Sequence, residues 1–313
     1  MRRRTALSAL WLAALVPAAP ALAGPWGLQP GEWFSEFRSG VFTADSWHND
    51  DGDRGPLFDG GVVEDRTLVA YNELGWRKRT SFLLAVPAKS ITRRASTRPF
   101  ERTETGLGDM RVGFRHHLAN GPTALALELE WKAPMGYDRH FRATHQDSIR
   151  CGEATGNGDS LNVDCLRQSV SPRLGEGQQD VSLMLQLGTS LPALRGYAHA
   201  GGGYRYRFDA PADQIVGNAE LGVWVTRSLL LAGHYEGELA IGDGNLPVDE
   251  VNRHRAGPRI VYRLDDQVDL IVSSLHTALA RNAFHTDQVF VGIAFKQSSL
   301  NRFQGALGTL REP

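Results

Sequence analysis

Cysteine and long apolar runs are both scarce in this chain. Its 313 residues include 2 cysteines, and 34 Lys+Arg stand against 35 Asp+Glu, so neither sign of charge dominates. After residue 23 no apolar run is long enough for a transmembrane helix, and no sustained i, i+3, i+4, i+7 stripe marks an amphipathic helix. These absences exclude a helical membrane protein and give no indication of nucleic-acid binding.

The first 23 residues have the three parts of an export signal. The chain begins MRRR, continues with an apolar run to about Val16, and reads ALA at residues 21–23. The run is too short to span a bilayer as a helix, so we predict a cleaved signal peptide over residues 1–23. An uncleaved N-terminal anchor is the alternative. Without the three arginines the mature chain has 31 basic and 35 acidic residues, a net charge of −4.

Apolar and polar residues alternate with a period of two along most of the chain. In ALALELEWKA, residues 124–133, one face carries Leu125, Leu127, Leu129 and Trp131, while the other carries alanine, glutamate and lysine. The same alternation recurs in GDMRVGFRHHL, DVSLMLQLG, GGYRYRF, AELGVWVT, LAGHYEGEL and PRIVYRL. Successive side chains of a β-strand point to opposite faces, so the pattern predicts strands with one apolar and one polar face.

Weaker candidates bring the predicted strands to about twelve. Their connections alternate between long and short, with the longest at residues 135–177 and a tight Asn-Gly turn in ANGP. This asymmetry predicts an all-β fold, a transmembrane antiparallel up-and-down β-barrel over residues 24–296 with long extracellular loops and short periplasmic turns. The predicted strands span residues 31–42, 62–75, 79–92, 107–118, 122–134, 178–190, 194–208, 214–226, 228–241, 253–264, 266–280 and 285–296.

A soluble β-sandwich also has alternating strands and is the alternative fold. Many predicted strands have ten or more residues, longer than the usual five or six or so of globular sheets and close to the roughly 9–11 that cross a bilayer with tilt. The connections look like nearest-neighbour hairpins, without the long crossovers of a Greek key. These features favour a closed barrel, whose apolar face meets lipid and whose polar face lines a wet lumen.

Several prolines, glycines and aromatic residues have positions that a barrel must accommodate. Pro87 and Pro258 lie inside predicted strands, where each must sit at a bulge or near a strand end because proline donates no ladder hydrogen bond. Three consecutive glycines, residues 201–203, predict a bend or a bulge. The aromatic residues expected at the membrane–water boundaries are Trp76, Trp131, Phe208 and Phe295.

Two segments resemble an outer-membrane family named for the meta-pathway of phenol degradation. They are TGLGDMRVGFRHHL, residues 105–118, and NRHRAGPRIVYRLDDQVDLIVSS followed by FHTDQVFVGIAFK. The likeness covers most of residues 60–296. It implies an outer-membrane barrel associated with uptake of small, often aromatic or apolar compounds, and no catalytic residues. Barrels of this type commonly end on the last aromatic of the final strand, here Phe295, whereas this chain continues through residues 297–313, predicted to be a periplasmic tail.

Charged and bulky residues on the polar faces are the candidates for lining a solute path. Both signs of charge are present, so we expect carboxylates to pair with arginines and strong ion selectivity to be absent. Acid–base catalysis by the carboxylates is the less favoured alternative. None of the 10 histidines has a serine two residues later, as lipid-hydrolysing barrels do, so no catalytic residue is predicted. The lumen candidates are Arg111, Arg115, Glu128, Glu130, Lys132, Arg205, Arg207, Trp224, His234, Glu236, Glu238, Arg259 and Arg263.

The longest loop carries both cysteines. Cys151 and Cys165 close a short loop in an exported protein, which predicts a disulfide; two cysteines without histidine at ligand spacing do not indicate a metal site. The stretches HNDDGDRG and GNGDSLNVD contain oxygen ligands suited to Ca²⁺, but neither matches a full calcium-loop register. We predict solvated loops, no metal and no cofactor.

The sequence therefore predicts a channel or transporter for small molecules in the outer membrane of a Gram-negative bacterium. Bulky lumen residues beside charges of both signs fit a neutral or weakly apolar solute better than a polyanion. Its expected partners are outer-membrane lipid, the barrel-insertion machinery and the solute itself. An outer-membrane hydrolase, and a structural or surface-interaction barrel with a plugged lumen, are the alternatives.

Overall fold

The structure is a computed structural model that describes residues 25–57, 60–95, 100–135, 174–208, 211–242 and 250–296. Among these residues no helix is long and apolar enough to cross a membrane. The predicted signal peptide, the predicted tail, Cys151, Cys165 and the GNGDSLNVD stretch lie outside the described residues.

Fourteen β-strands make up nearly all of the described chain, together with a short 3₁₀ turn at Pro192–Leu194. They are β1 (Trp33–His48), β2 (Arg54–Pro56), β3 (Val62–Arg77), β4 (Thr80–Ala95), β5 (Phe100–Leu107), β6 (Asp109–Ala119), β7 (Thr123–Pro134), β8 (Asp180–Leu191), β9 (Gly196–Arg207), β10 (Asp213–Trp224), β11 (Leu229–Ile241), β12 (Asn252–Arg263), β13 (Val268–Arg281) and β14 (Ala283–Lys296).

The strands form one closed antiparallel barrel. Each wall strand pairs with its neighbour in sequence, and β1 pairs with β14 from Phe34↔Lys296 to His48↔Ala283. β5 and β6 pair with successive stretches of β4, so together they form one wall strand, and β2 adds a short hairpin to β1. The wall therefore has twelve strands, as predicted. Closure leaves no unpaired edge in the wall, which a sheet in hydrocarbon requires.

The two ends of the barrel differ in their connections. Five short turns lie at one end, called here the short-turn end: residues 78–79, 120–122, 192–195, 225–228 and 264–267. The first residues of β1 and the last of β14 lie there too, because Phe34 pairs with Lys296. The opposite, long-loop end carries the connection after β7, the longest in the chain, and also one tight turn in which Asn282 has a positive φ of 53°.

Two predicted loops are partly strand, which corrects the sequence reading. β1 continues to His48 and β2 lies within the predicted loop 43–61, while β4 and β5 occupy most of the predicted loop 93–106. The strands extend beyond the length needed to cross a bilayer, and polar residues there continue the ladder: Thr92 and Thr103 bond across it at 2.9 Å. Alternation of apolar residues marks only the part of a strand that has an apolar face.

Of the bend or bulge predicted at residues 201–203, the bulge is wrong, whereas Pro87 does sit at a bulge. β9 keeps a one-to-one register through the three glycines with both neighbours. A Cβ on Gly201 would lie 2.2 Å from Oε1 of Gln186, so glycine supplies space there. The pairing of β4 passes from β6 to β5 opposite Pro87, whose carbonyl accepts the Gly108 N–H at 2.9 Å.

The wall has an apolar outer face and a polar interior. Leu183, Leu185 and Leu187 of β8 are each 49% exposed, whereas the alternate residues Ser182 and Gln186 are buried inside. The large side chains on the outer face form a belt around the barrel, as the alternating sequence predicted. Aromatic residues lie at both of its ends, with Trp76 and Phe295 at the short-turn end and Trp131 and Phe208 at the long-loop end.

Candidate functional site

The interior of the barrel, its lumen, is lined by charged side chains from most of the wall strands. All thirteen predicted lumen residues lie on the interior face of their strands, and the charged ones pair chiefly with one another or with neighbouring interior residues. Their role in passing a solute stays a prediction. The register of neighbouring strands places these side chains next to one another.

One group of buried ion pairs centres on Arg115. Its guanidinium contacts Glu128 on the neighbouring β7 at 2.8 Å and Glu73 on β3 at 2.8 Å. The hydroxyl of Tyr71 also donates to Glu73, at 3.2 Å. One arginine therefore joins carboxylates from two strands that lie on either side of β4 and β6, and only Glu128 of its two partners was predicted as a lumen residue.

A second group of ion pairs occupies the part of the lumen nearer β9 to β12. Arg253 donates to both oxygens of Glu238 at 3.1 and 3.2 Å, and Arg205 lies 3.8 Å from the same carboxylate. Arg255 bonds Glu236 at 2.8 Å. The carboxylates were predicted, but the arginines that bind them most closely, Arg253 and Arg255, were not.

Some charged side chains of the lumen remain exposed to solvent although they point into the barrel. Arg111 on β6 is 48% exposed and lies 3.6 Å from Glu130, and Glu236 is 46% exposed. Such exposure inside a closed wall means that the lumen contains space for water at this level. His234 is buried on the same face.

Aromatic residues join the ion pairs toward the short-turn end. Arg259 contacts Glu220 at 2.7 Å, and the same carboxylate accepts a hydrogen bond from Tyr197. Arg263 lies over the ring of Trp224 at 4.4 Å from its centre, a cation–π contact. The predicted lumen residues Arg259, Arg263 and Trp224 therefore belong to one wall of mixed aromatic and charged character.

An N-terminal segment, residues 25–29, lies across the short-turn end. The ring of Trp26 packs edge-on against Tyr197 at 6.1 Å and its indole N–H donates to the Gly121 carbonyl at 3.2 Å. The Pro25 carbonyl oxygen accepts a hydrogen bond from Nδ1 of His117 at 2.9 Å. Because these contacts reach strands far from β1, which follows the segment, the chain crosses the lumen before it enters the wall.

A second segment, residues 174–178, lies across the long-loop end. Leu174 is buried with Leu57, Val63 and Ile91, and the last two lie on β3 and β4, four and three strands around the wall from β8, which follows the segment. The backbone N–H of Glu176 donates to Asp109 at 2.9 Å. The described part of this connection therefore folds inward, and the lumen is narrowed at both ends. We call it the inward loop segment.

The side chain of Glu176 binds cations of the wall. It contacts Lys132 and lies 2.8 Å from Arg207, and both of these also approach the buried carboxylate of Asp180. Partial desolvation of the half-exposed Glu176 would raise its pKa, but the positive charges of Lys132 and Arg207 outweigh this effect and hold the pKa well below its usual range. Glu176 therefore stays ionised and joined to the wall at neutral pH.

A serine and a histidine meet in the wall without the geometry of a hydrolase. Oγ of Ser81 lies 3.5 Å from Nε2 of His117, and both side chains are fully buried. The other ring nitrogen faces the Pro25 carbonyl, where a catalytic triad would place a carboxylate or amide. The N-terminal segment covers the pair, since Gly27 lies against the His117 ring, so this arrangement has no room for a substrate.

The described residues hold no group of three or more His, Cys, Asp or Glu that is placed to bind a metal. In the HNDDGDRG stretch the Asn49 side chain accepts hydrogen bonds from the N–H groups of Asp51 and Asp53, at 3.0 and 2.8 Å. Asp50 binds Arg281 at 2.8 Å. These contacts form a tight turn whose oxygens serve the loop itself.

Sequence reasoning found the strand residues of the lumen and missed the two segments that narrow it. Arg253 and Arg255 share the parity of Arg259 and Arg263, so extending the alternation along NRHRAGPRIVYR would have found them. The aromatic Trp26, just after the predicted cleavage site, was a signal for the N-terminal segment. Glu176 lies in a glycine-rich stretch without periodicity, and no local signal distinguishes it.

Comparisons with known proteins agree with this fold. No family model and no curated protein matches the chain, so the resemblance to the phenol-degradation family stays a prediction. An outer membrane channel from Pseudomonas putida F1 has a similar structure, with a TM-score of 0.65 and 11% identity over 89% of this chain and 100% of that chain.

Two further solved barrels match less closely. The translocator domain of the autotransporter NalP from Neisseria meningitidis has a TM-score of 0.44 and 11% identity over 86% of this chain and 89% of its own. A TodX deltaS2S3 mutant, a monoaromatic hydrocarbon channel, has a TM-score of 0.43 and 10% identity over 88% and 92%. At 11% identity, the similarity to the Pseudomonas putida channel shows a shared fold and nothing further.

Proposed function

We propose that this protein is a channel for small molecules in the outer membrane and has no catalytic activity. The observation that carries the proposal is the exposure of Arg111 and Glu236 within a closed wall. A barrel that served only as a scaffold would fill its interior with side chains, as small eight-stranded barrels do. The apolar outer belt supports a location in lipid, and the solved barrel with the same fold is itself described as an outer membrane channel.

The solute is a small molecule of low net charge with an aromatic or weakly apolar body. The lumen pairs its cations with carboxylates, so a polyanion would gain little and would meet Glu128, Glu236 and Glu238 on its way. Aromatic side chains line the short-turn end beside them, including Tyr197 and Trp224. The resemblance to the phenol-degradation family supports the same class of solute.

A plugged barrel that acts through its surface is the second candidate. The N-terminal segment and the inward loop segment favour it, because both lie across the lumen. The two functions differ in one property: a channel must conduct when the obstruction at its short-turn end is removed.

Planar-bilayer conductance of a variant lacking residues 25–29 tests the proposal. We expect the full mature chain to conduct weakly and the shortened variant to conduct several-fold more, because the contacts of Trp26 with Tyr197 and Gly121 are lost. A graded control is Trp26→Ala, which removes the ring and keeps the backbone. If the shortened, folded variant neither conducts nor admits arabinose into liposomes, the channel function is refuted and the surface-interaction barrel is favoured.

A further inference from the structure

The inward loop segment places a carboxylate from a loop on cations that belong to the wall. Glu176 is 49% exposed, whereas the side chains of Lys132 and Arg207 are 8% and 5% exposed. Its backbone has one further tie to the wall, the 2.9 Å hydrogen bond from its N–H to Asp109. A solvent-accessible carboxylate therefore contacts two buried cations of the wall.

The two cations come from strands on either side of β8. Lys132 lies on β7, Arg207 on β9, and Asp180 between them on β8 contacts Lys132 and lies 3.6 Å from Arg207. A single oxygen of Glu176, Oε2, meets Lys132, Arg207 and the side-chain amide of Gln178, the last at 3.0 Å. Three donors thus converge on the position of one carboxylate oxygen.

We propose that Lys132 and Arg207 form a carboxylate-binding subsite at the long-loop end, which Glu176 occupies in the closed barrel and which a small monocarboxylate occupies in its place on entry. The proposal rests on the channel function and narrows its solute to a monoanion with an aromatic or weakly apolar body. Glu176 then acts as an internal stand-in for the solute.

The charges around the subsite favour a monoanion over other anions. Two cations stand against Asp180 and, at 3.8 Å from Lys132, Asp109, so the site without Glu176 is close to neutral. One added carboxylate gives the site the same net charge that it has with Glu176 bound, while a dianion would be repelled by the two fixed aspartates. The convergent donors also match the short charge-assisted bonds that a carboxylate oxygen accepts.

Competition with Glu176 sets the size of the expected effect. A tethered carboxylate acts as an internal competitor at an effective concentration of the order of millimolar. The apparent affinity for a free carboxylate is reduced by the fraction of molecules whose subsite is vacant. If that fraction is about one tenth or less, removing the Glu176 charge tightens binding by about tenfold or more.

Titration calorimetry on the full mature chain in a non-ionic detergent tests this, with benzoate as the probe. Glu176→Gln is the test variant, because it removes the charge and keeps the shape. Glu64→Gln is the matched control: Glu64 also pairs with arginines, Arg66 and Arg94, but on the outer face. Benzyl alcohol and sulfate are the control ligands, and Lys132→Gln in the Glu176→Gln background removes a cation of the subsite.

We expect Glu176→Gln to bind benzoate at least about tenfold more tightly than the wild type and Glu64→Gln to match the wild type. Benzyl alcohol and sulfate should bind no more tightly to Glu176→Gln, and Lys132→Gln should abolish the gain. Equal benzoate affinity in wild type and Glu176→Gln, no binding in either, or equal gains for sulfate would each overturn the inference. The conductance of the variant lacking residues 25–29 is measured separately, so a failed subsite is distinguishable from a failed channel.

Discussion

Removing the Arg115 guanidinium should strongly destabilise the barrel. Arg115→Met leaves Glu73 and Glu128, with side chains 3% and 10% exposed, without their shared cation. Removing one partner of a buried ion pair typically costs about 3–5 kcal/mol, because the remaining charge is left without compensation. The two carboxylates also repel each other once Arg115 is gone, so the loss should reach the upper part of that range.

Urea unfolding in detergent, followed by tryptophan fluorescence and by heat-modified migration on gels, measures the loss. The control is Arg66→Met, whose side chain is 70% exposed on the outer face and whose loss should cost at most about 1 kcal/mol. A triple variant, Arg115→Met with Glu73→Gln and Glu128→Gln, should recover part of the stability because no charge is left buried. If Arg115→Met unfolds no more readily than Arg66→Met, or if the triple variant is no more stable than the single one, the reasoning is refuted.

Three further predictions test other parts of the structure. Gly188→Val should expel the N-terminal segment and raise conductance, because a Cβ there would lie 2.4 Å from Pro25, while Gly202→Val, with 3.9 Å to its nearest neighbour, should leave conductance unchanged. Leu185→Arg, on the lipid face, should cost about 2–4 kcal/mol in urea unfolding, whereas Met184→Arg, beside Glu128 in the lumen, should cost clearly less. The Glu176 contact should be fully present above pH 4.5 and lost as pH falls through the lowered folded-state pKa, so conductance of the variant lacking residues 25–29 should rise in acid; a rise of equal size with Glu176→Gln would contradict this.

The wall could be predicted from the sequence because its two faces meet different solvents. Leu125 to Trp131 alternate with charged residues for the one reason that lipid lies outside and water inside, and the period of two then fixes which face each residue takes. The number of strands followed from the same pattern, and the bulge at Pro87 followed from the missing N–H of proline. The predicted bulge at residues 201–203 was wrong, because at Gly201 the glycine leaves space for the side chain of Gln186, a contact between strands that no local pattern records.

The lumen could be predicted only in part because two kinds of segment line it, wall strands and segments without periodicity. Wall residues such as Arg111 and Glu238 follow strand parity and were found. The N-terminal segment and the inward loop segment have no periodicity, and their places are decided by contacts across the barrel, such as Trp26 with Tyr197 and Leu174 with Ile91. Sequence pattern reports on local geometry, whereas a segment that folds into a cavity is positioned by long-range packing.

The free-energy cost of burying charges in the lumen is evidence about the function of the barrel. Burying an ion pair is expensive, and replacing such pairs by well-packed apolar residues is often neutral or stabilising. A barrel kept only for its surface would lose nothing by an apolar filling. The interior instead holds water-exposed charges at Arg111 and Glu236, as the proposed channel requires. In that channel the two segments that narrow the wet interior would be barriers to passage rather than the packing of a solid core.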